Sequence, residues 1–480
     1  MFKQKPFIVA GSILALGGGT AMPLGLPELL EPILRWDPEG YEVSLLPGEF
    51  GAADVMDEEG DWGMPEEPVF LRSMTSVRPG GREYEVRIGK GSQIYSIRTP
   101  AGEFIAPQKP HSAEWVDEVL QTVTVNTRLL DRTHEFVEKR VEGEVIRLPL
   151  RPDAYFIHQA GTYNRDLAYP GTFYSPLLAA LSGDEDRSFA TLVWPQQAHV
   201  PNNHRSHMLV YQRVRWVEPG VFEVTNILHN FGEVEQDWMN LPWVGLRKHR
   251  LRHQYIVEPD GSWRLLDHVW GAGRNIGVYP IGETGGAVVF ATAREPRAEA
   301  MALIFGVEDE WIEPLQLRRR RGQHGGQTFL KVGSTINRGE KNLQVATVIG
   351  QVAVRRHEAL AVRYFVALGN KAEIDRAVAR YRDRCFRMPF THETGQPGVR
   401  KIVREDETVA VYPTPAGGRV PLFLLRDRTT GERWKTTDPY LLSPKPHDGR
   451  TDFTGLSGFI ETDDARAWIL PGESVGENED

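Results

Sequence analysis

Histidines concentrate in the middle of this chain. Eight of the fourteen histidines fall between residues 158 and 268, which is less than a quarter of the 480 residues. They are His158, His199, His204, His207, His229, His249, His253 and His268. Imidazole exchanges protons near neutral pH, and the tyrosines, tryptophans, amides and arginines of the same window suit the faces, hydroxyls and carboxylates of sugars. We therefore expect the chemistry of this protein to lie in this window.

The first candidate group follows a strand-like segment at residues 155–157. His158 is a candidate general base, and the phenol of Tyr163 can donate or accept a proton. Asn164 and Arg165 come directly afterwards and could hold a carboxylate. The alternative interpretation is a loop whose polar side chains satisfy its own backbone.

The second candidate group leads into another strand-like segment. His199 and His204 are candidates for hydrogen bonding or proton transfer, and Tyr211 and Arg213 follow within the strand. His204 and His207 are three residues apart, a spacing that would suit a metal ion on a helix, but Pro201 and the two asparagines after it predict a loop. We therefore predict no cofactor, with a bound calcium or zinc ion as the alternative.

The third candidate group combines two tryptophans with an amide and a guanidinium group. Trp238 and Trp243 could be stacking platforms for sugar rings. Asn240 and Arg247 could hold a carboxylate. The alternative is that both tryptophans belong to the hydrophobic core.

These groups lie among segments that alternate in the manner of β-strands. Residues 84–88 and 93–98 read as a hairpin, and residues 208–216 and 221–228 read as another, joined by a turn at Glu218-Pro219-Gly220. The clearest helix runs from Lys371 to Phe386, with Asn370 as its N-cap. Strands at hairpin spacing with one late helix predict a mostly-β fold, a large antiparallel β-sandwich with a small C-terminal β subdomain.

Composition excludes several classes of function. The formal net charge of −9 argues against nucleic acid as a partner, because phosphates require a basic face. A single cysteine, Cys385, rules out an intrachain disulfide framework and a cysteine-based zinc site. The sequence contains no phosphate-binding loop, no nucleophile elbow and no His-Glu-x-x-His pattern.

The chain divides into four predicted parts. Residues 1–21 have Lys3 and Lys5 near their start, continue with a short apolar run and end in small residues, which predicts a secretory signal and a secreted or periplasmic protein. That run is too short and interrupted for stable membrane insertion. A loop-rich lead-in covers residues 22–65, the sandwich with the catalytic site covers 66–388, and the small β subdomain with its acidic tail covers 389–480.

A long antiparallel β chain with a His-, Tyr-, Arg- and Asn-rich centre resembles the carbohydrate-active enzymes that have a galactose-mutarotase-like supersandwich. Several polysaccharide lyase families share that architecture. The resemblance covers roughly residues 65–475 and is one of architecture and composition. It carries no diagnostic motif, and the helical toroid that precedes many such sandwiches has no counterpart in this sequence.

The resemblance and the central window together predict a polysaccharide lyase that cleaves a uronate-containing polysaccharide. His158 or His204 would be the base and Tyr163 or Tyr211 the acid. Arg165 with Asn164, or Arg247, would neutralise the carboxylate, while His199, Arg213, Trp238, Asn240 and Trp243 would bind the substrate. The first alternative is a glycoside hydrolase, for which Asp166 and Asp237 are the carboxylate pair. The second is a carbohydrate-binding protein without catalysis.

Overall fold

A computed structural model describes strands and helices between residues 70 and 461. The described residues are 70–89, 92, 94–105, 120–121, 124–127, 136–141, 144–149, 156–159, 177–182, 187–193, 208–232, 238–247, 250–266, 275–307, 329–336, 342–350, 354–390, 400–404, 407–412, 415–427, 429–437 and 451–461. The predicted signal segment 1–21 and lead-in 22–65 lie outside these ranges.

Two large antiparallel sheets make up most of the molecule. The eleven-stranded sheet contains β1 (Phe70–Arg78), β2 (Arg82–Gly89), β3 (Ile94–Thr99), β4 (Gly102–Ile105), β5 (Leu120–Gln121), β6 (Thr124–Thr127), β9 (Phe156–Gln159), β14 (Trp238–Arg247), β17 (Asn275–Pro280), β20 (Phe329–Ile336) and β21 (Asn342–Gly350). The ten-stranded sheet contains β10 (Leu177–Ser182), β11 (Ser188–Val193), β12 (Met208–Glu218), β13 (Val221–Asn230), β15 (His253–Val257), β16 (Trp263–Leu265), β18 (Ala287–Ala291), β19 (Ala300–Ile304), β22 (Ala359–Gly369) and β23 (Phe386–Pro389).

The remaining described elements are smaller. They are a hairpin of β7 (Phe136–Val141) and β8 (Glu144–Pro149), a hairpin of β24 (Arg400–Arg404) and β25 (Glu407–Val411), a three-stranded sheet of β26 (Arg419–Asp427), β27 (Arg433–Thr436) and β28 (Thr451–Glu461), and helix α1 (Lys371–Tyr381). Short 3-10 helices occupy Ile281–Glu283 and Arg382–Arg384. Within the described ranges, no helix has the length and apolar character that a bilayer span requires.

The hydrophobic core lies between the two large sheets. Val86 and Leu246 of the eleven-stranded sheet belong to the same buried cluster as Val224 and Phe290 of the ten-stranded sheet. Because side chains alternate along a strand, each sheet has an inner face in this core and an outer face directed away from it. The predicted antiparallel β-sandwich is thus confirmed.

The predicted turn between β12 and β13 is also confirmed. Glu218 pairs with Val221 across it, and Gly220 has a φ of +77°, in the region that glycine adopts without steric cost. The turn chemistry was local and could therefore be read from the sequence.

Helix α1 packs on the outer face of the ten-stranded sheet. Its buried residues Ile374 and Val378 join a second cluster with Val289 and Phe365. The helix begins where predicted but ends at Tyr381 rather than Phe386, because the chain tightens into a 3-10 turn and Phe386 then pairs with Arg363 of β22. Residues from Phe386 onwards therefore form strand β23 and do not extend the helix.

We expect Asn370→Ala to lower the free energy of unfolding by about 1 kcal/mol. The Asn370 side chain accepts a hydrogen bond from the backbone N–H of Glu373, and the Glu373 side chain accepts one from the backbone N–H of Asn370. Urea unfolding measures the loss. Asn370→Asp is the matched control, because its carboxylate can accept the same bond; equal losses in both variants would contradict the capping role.

Candidate functional site

The structure describes the side chains of two of the twelve candidate residues and the backbone of five more. Side chains are described for Tyr211 and Arg213. Sheet positions are described for His158, Trp238, Asn240, Trp243 and Arg247. Tyr163, Asn164, Arg165, His199 and His204 lie outside the described residues, as do Asp166 and Asp237.

Tyr211 and Arg213 lie on the outer face of the ten-stranded sheet. Their neighbours at alternate positions, Val214 and Trp216, belong to the core between the sheets, so the odd-numbered residues of β12 occupy the other face. Both are nevertheless buried, at 2% and 3% exposure. Both side chains are therefore buried on the outer face of the ten-stranded sheet, away from the core between the two sheets.

Arg213 belongs to a buried cluster of charges centred on Glu223. Its Nη2 donates to Oε1 of Glu223 at 2.8 Å, and Arg215 Nη2 donates to Oε2 at 3.3 Å. Arg363 Nη1 lies 3.9 Å from the same Oε2, and the Thr225 hydroxyl donates to Oε1 at 3.4 Å. The guanidinium group of Arg213 thus binds the buried carboxylate of Glu223. We therefore do not include Arg213 in the proposed substrate site.

Burial and charge act in opposite directions on Glu223. Burial alone raises the pKa of its carboxyl group, but the positive charges of Arg213, Arg215 and Arg363 outweigh that effect, so the net pKa lies below its ordinary value. Glu223 is therefore ionised in the folded protein at neutral pH. The sequence signal for this cluster was a single glutamate within the apolar run of β13, and the sequence analysis missed it.

We expect Tyr211→Phe to leave catalytic turnover unchanged. Burial holds the pKa of the Tyr211 hydroxyl far above its ordinary value, and the residue is enclosed within the fold. A proton donor to a polysaccharide must reach the substrate, which this hydroxyl does not. Steady-state kinetics on the substrate found for the wild-type protein tests this expectation. A loss of a hundredfold or more in kcat, with unchanged thermal stability, would restore Tyr211 as the acid.

The structure places the four candidates of β14 on one sheet face. Asn240 pairs with Ile349 of β21, while Trp243 pairs with Thr347, so between these pairs two residues of β14 lie opposite one residue of β21. This β-bulge shifts the alternation by one residue. Trp238 and Asn240 before the bulge therefore lie on the same face as Trp243 and Arg247 after it. In a regular strand, the step of three residues from Asn240 to Trp243 would place these two residues on opposite faces.

That face is the outer face of the eleven-stranded sheet. Leu246 lies in the core between the sheets, so its neighbour Arg247 occupies the opposite face. Pairing across the sheet gives the same result. The core residue Ile94 pairs with Leu120, and Leu120 pairs with Val244, so Val244 lies on the inner face like Leu246. We call the outer-face positions of β14 and its paired strands the β14 face.

His158 occupies the opposite face of the same sheet. It pairs with Val125 of β6, and Val125 pairs with Met239, which alternates with Asn240. The register therefore separates His158 from the β14 face, although only one strand lies between β9 and β14. We leave His158 out of the proposed site for this reason.

Sheet pairing adds polar residues that the sequence analysis missed. Gln121 pairs with Trp243, Thr124 pairs with Asn240, and Gln159 pairs in turn with Thr124. Paired residues share a face, so these positions belong to the β14 face. Gln121 is 122 residues from its partner Trp243 in the chain, and no local pattern predicts a pairing over such a separation.

The described residues hold no group of three or more His, Cys, Asp or Glu side chains that could bind a metal ion. The two histidines of the predicted loop, His204 and His207, lie outside the described ranges.

Comparison with known proteins finds similarity in structure alone. No protein-family model matches this chain, and no curated protein sequence does. Among solved structures, the chain is similar to a GalM/aldose epimerase homologue from C. elegans, with a TM-score of 0.30 and 7% identity over 62% of this chain and 98% of that one. It is also similar to the heparan sulfate lyase HepC from Pedobacter heparinus, with a TM-score of 0.27 and 9% identity. That match covers 73% of this chain and 40% of the lyase, and similarity at this level establishes no shared activity.

Proposed function

We propose that this protein is a polysaccharide lyase that binds a uronate-containing glycan on the β14 face. The observation that supports the proposal is the bulge that aligns Trp238, Asn240, Trp243 and Arg247 on one face. Bulges are enriched beside active sites, where they change the direction of side chains. Two tryptophans with an amide and a guanidinium group are the residue types that stack on sugar rings and hold a carboxylate.

Elimination on a uronate requires three groups. A cation neutralises the carboxylate and makes the C5 proton acidic, a base removes that proton, and an acid protonates O4 of the leaving sugar. The C5–H and C4–O4 bonds break and a C4–C5 double bond forms. On the β14 face, Arg247 and Asn240 are suited to the first of these tasks.

The acid and a second carboxylate clamp are proposed to come from the segment after β9. Gln159, the last residue of β9, occupies the β14 face in the row of Asn240. Tyr163 follows Gln159 by four residues, which a chain spans in at most about 14 Å. On this basis Tyr163 is the proposed acid, Arg165 the proposed second clamp and His204 the proposed base.

A panel assay tests the activity. Purified protein is incubated with alginate, pectate, ulvan, glucuronan and glycosaminoglycans, and ultraviolet absorbance and reducing ends are recorded together. Elimination produces both signals, because each cleavage forms a C4–C5 double bond and a new end. Reducing ends without absorbance would overturn the lyase proposal in favour of hydrolysis, and Asp166 and Asp237 would then be the residues to replace.

We expect Trp243→Ala to weaken binding of the active polysaccharide by about 30-fold, because a central aromatic contact in an interface contributes about 2 kcal/mol. Isothermal titration calorimetry on a catalytically inactive background measures the change. Trp263→Ala is the matched control, since Trp263 lies on β16 of the other sheet and donates from Nε1 to Asp375 at 2.9 Å. Equal losses in both variants would place the binding site elsewhere.

A further inference from the structure

Two arginines approach a single carboxylate oxygen on the outer face of the ten-stranded sheet. Arg215 Nη2 lies 3.3 Å from Oε2 of Glu223, and Arg363 Nη1 lies 3.9 Å from the same atom. The other oxygen, Oε1, already accepts hydrogen bonds from Arg213 and Thr225. Arg215 and Arg363 therefore share the oxygen that remains, and one shared oxygen does not balance two cations.

Arg363 is the more completely enclosed of these two arginines. The residue is 1% exposed, and its Cζ lies 4.4 Å from the centroid of the Phe386 ring. Its Nε donates to the backbone carbonyl of Arg384 at 2.8 Å. Nη1 and Nη2 are buried and have no hydrogen-bond partner in the part of the chain that the structure describes. Both terminal NH2 groups are thus unsatisfied donors of a buried cation, which is a costly arrangement.

Arg215 adds a donor of the same kind and connects the cluster to solvent. Its Nε is buried and lacks a hydrogen-bond partner among the described residues, whereas its side chain as a whole is 28% exposed. Arg215 pairs with Glu223, one row along the strands from the pair of Thr225 with Arg363. A solute that enters from solvent would therefore meet Arg215 first and Arg363 behind it.

The electrostatic environment of Arg363 agrees with a shortage of negative charge. Burial has the largest effect on its pKa and lowers it, the cations of Arg213 and Arg215 act in the same direction, and Glu223 opposes them. The net pKa lies below its ordinary value, so Glu223 does not offset the cost of burying this cation. A guanidinium group nevertheless stays protonated in proteins. An additional anion would lower the remaining cost.

We infer that Arg215 and Arg363 bind a small inorganic anion, of the size of chloride, beside Oε2 of Glu223. The ligand is an anion because the unfilled donors belong to two cations, and hydrogen bonds between charged groups are the strong ones. The ligand is small because Arg363 is enclosed by the fold and stacked on Phe386, so its terminal nitrogens are not accessible to a sugar chain. The site lies on the other sheet from the β14 face, so the inference is independent of the proposed function.

Crystals of the full chain grown with bromide as the halide test the site directly. Bromide replaces chloride in such sites and is located by its anomalous X-ray scattering. We expect an anomalous peak in contact with Nη1 or Nη2 of Arg363 and with Nε of Arg215. A water molecule at this position, or the absence of a peak there, would overturn the inference.

Thermal unfolding tests the same site in solution. We expect the Tm of the wild-type protein to be about 2 °C higher in chloride than in gluconate at equal ionic strength, because a ligand that binds only the folded state stabilises it. Arg363→Met should remove this difference, since the thioether can keep the contact with Phe386 but offers no donor. Arg264→Met is the matched control, because Arg264 also lies over an aromatic ring, that of Tyr279, and beside a carboxylate, that of Glu258, but at the surface.

The control variant should retain the full difference between chloride and gluconate. An equal Tm of the wild-type protein in the two anions would overturn the inference, as would an undiminished difference in a folded Arg363→Met variant. If Arg363→Met does not fold, the bromide peak in the wild-type protein decides. Activity on the polysaccharide panel is a separate measurement, so a failed lyase assay leaves this site standing and a failed bromide experiment leaves the proposed function standing.

Discussion

Glu223→Gln is expected to lower the free energy of unfolding by about 3–5 kcal/mol, because it removes one partner of a buried ion cluster. The Glu223 side chain is fully buried, and it accepts hydrogen bonds from Arg213 and Arg215 with Arg363 nearby. Without the carboxylate, the guanidinium groups of Arg213, Arg215 and Arg363 would lose the negative charge that they share. Most of the loss is the cost of keeping positive charge inside the fold without this carboxylate, rather than the strength of any one bond.

Urea unfolding at pH 7 measures this loss, with Glu258→Gln as the matched control. Glu258 pairs with Arg264 on the surface, where the two side chains are 25% and 48% exposed. An exposed pair contributes about 1 kcal/mol or less. A loss below 1 kcal/mol in Glu223→Gln would mean that water or another anion compensates the arginines.

The Glu223 cluster also predicts the direction of an acid effect. The pKa of Glu223 is lower in the folded protein than its ordinary value of 4.5. Its contribution to stability is therefore present above pH 4.5 and is lost as the pH falls through the folded pKa. The stability of Glu223→Gln should consequently vary less with pH below 4.5 than that of the wild-type protein.

His229 is expected to reduce stability by about 3 kcal/mol as the pH falls from 6.5 to about 4, since one pKa unit corresponds to 1.36 kcal/mol. Burial lowers its pKa to about 4, and the nearby charges of His357 and Arg419 act in the same direction against the hydrogen bond to the backbone carbonyl of Arg419. The unfolded chain takes up a proton below pH 6.5 and the folded protein does not. Stability is thus complete above pH 6.5 and declines towards pH 4.

Protonation of His229 would affect the contact between the sandwich and the small C-terminal sheet. His229 Nε2 lies 2.8 Å from the carbonyl oxygen of Arg419, the first residue of β26. The His229 ring also lies 5.6 Å from that of Phe459 on β28, measured between centroids. Among the residues that the structure describes, no carboxylate pairs with His229, so a protonated imidazole here would be a buried charge close to the cation of Arg419.

His229→Gln separates this effect from the titration of carboxyl groups. The glutamine amide can donate to the same carbonyl but does not titrate. The difference in unfolding free energy between the two proteins should change by about 3 kcal/mol between pH 7 and pH 4 in favour of the variant. A constant difference over that range would show that His229 is protonated in the folded protein or shielded by water.

Features set by short-range patterns could be read from the sequence. Alternating segments predicted the strands, Glu218-Pro219-Gly220 predicted the turn, and Asn370 predicted the start of the helix. These features depend on residues within a few positions of one another, whose turn and capping chemistry acts locally. The mostly-β antiparallel class followed from the same local signals.

Which residues share a face was decided by the tertiary structure. The sequence assigned His158, Tyr211 and the two tryptophans to one active site, because it showed only their clustering in one window. Pairing in the sheets places His158 opposite the β14 face and encloses Tyr211 on the far side of the core. The bulge between Asn240 and Trp243 aligns residues whose spacing fits no single period. Side-chain direction reverses with each one-residue shift of register, and the register depends on partners that are distant in the chain.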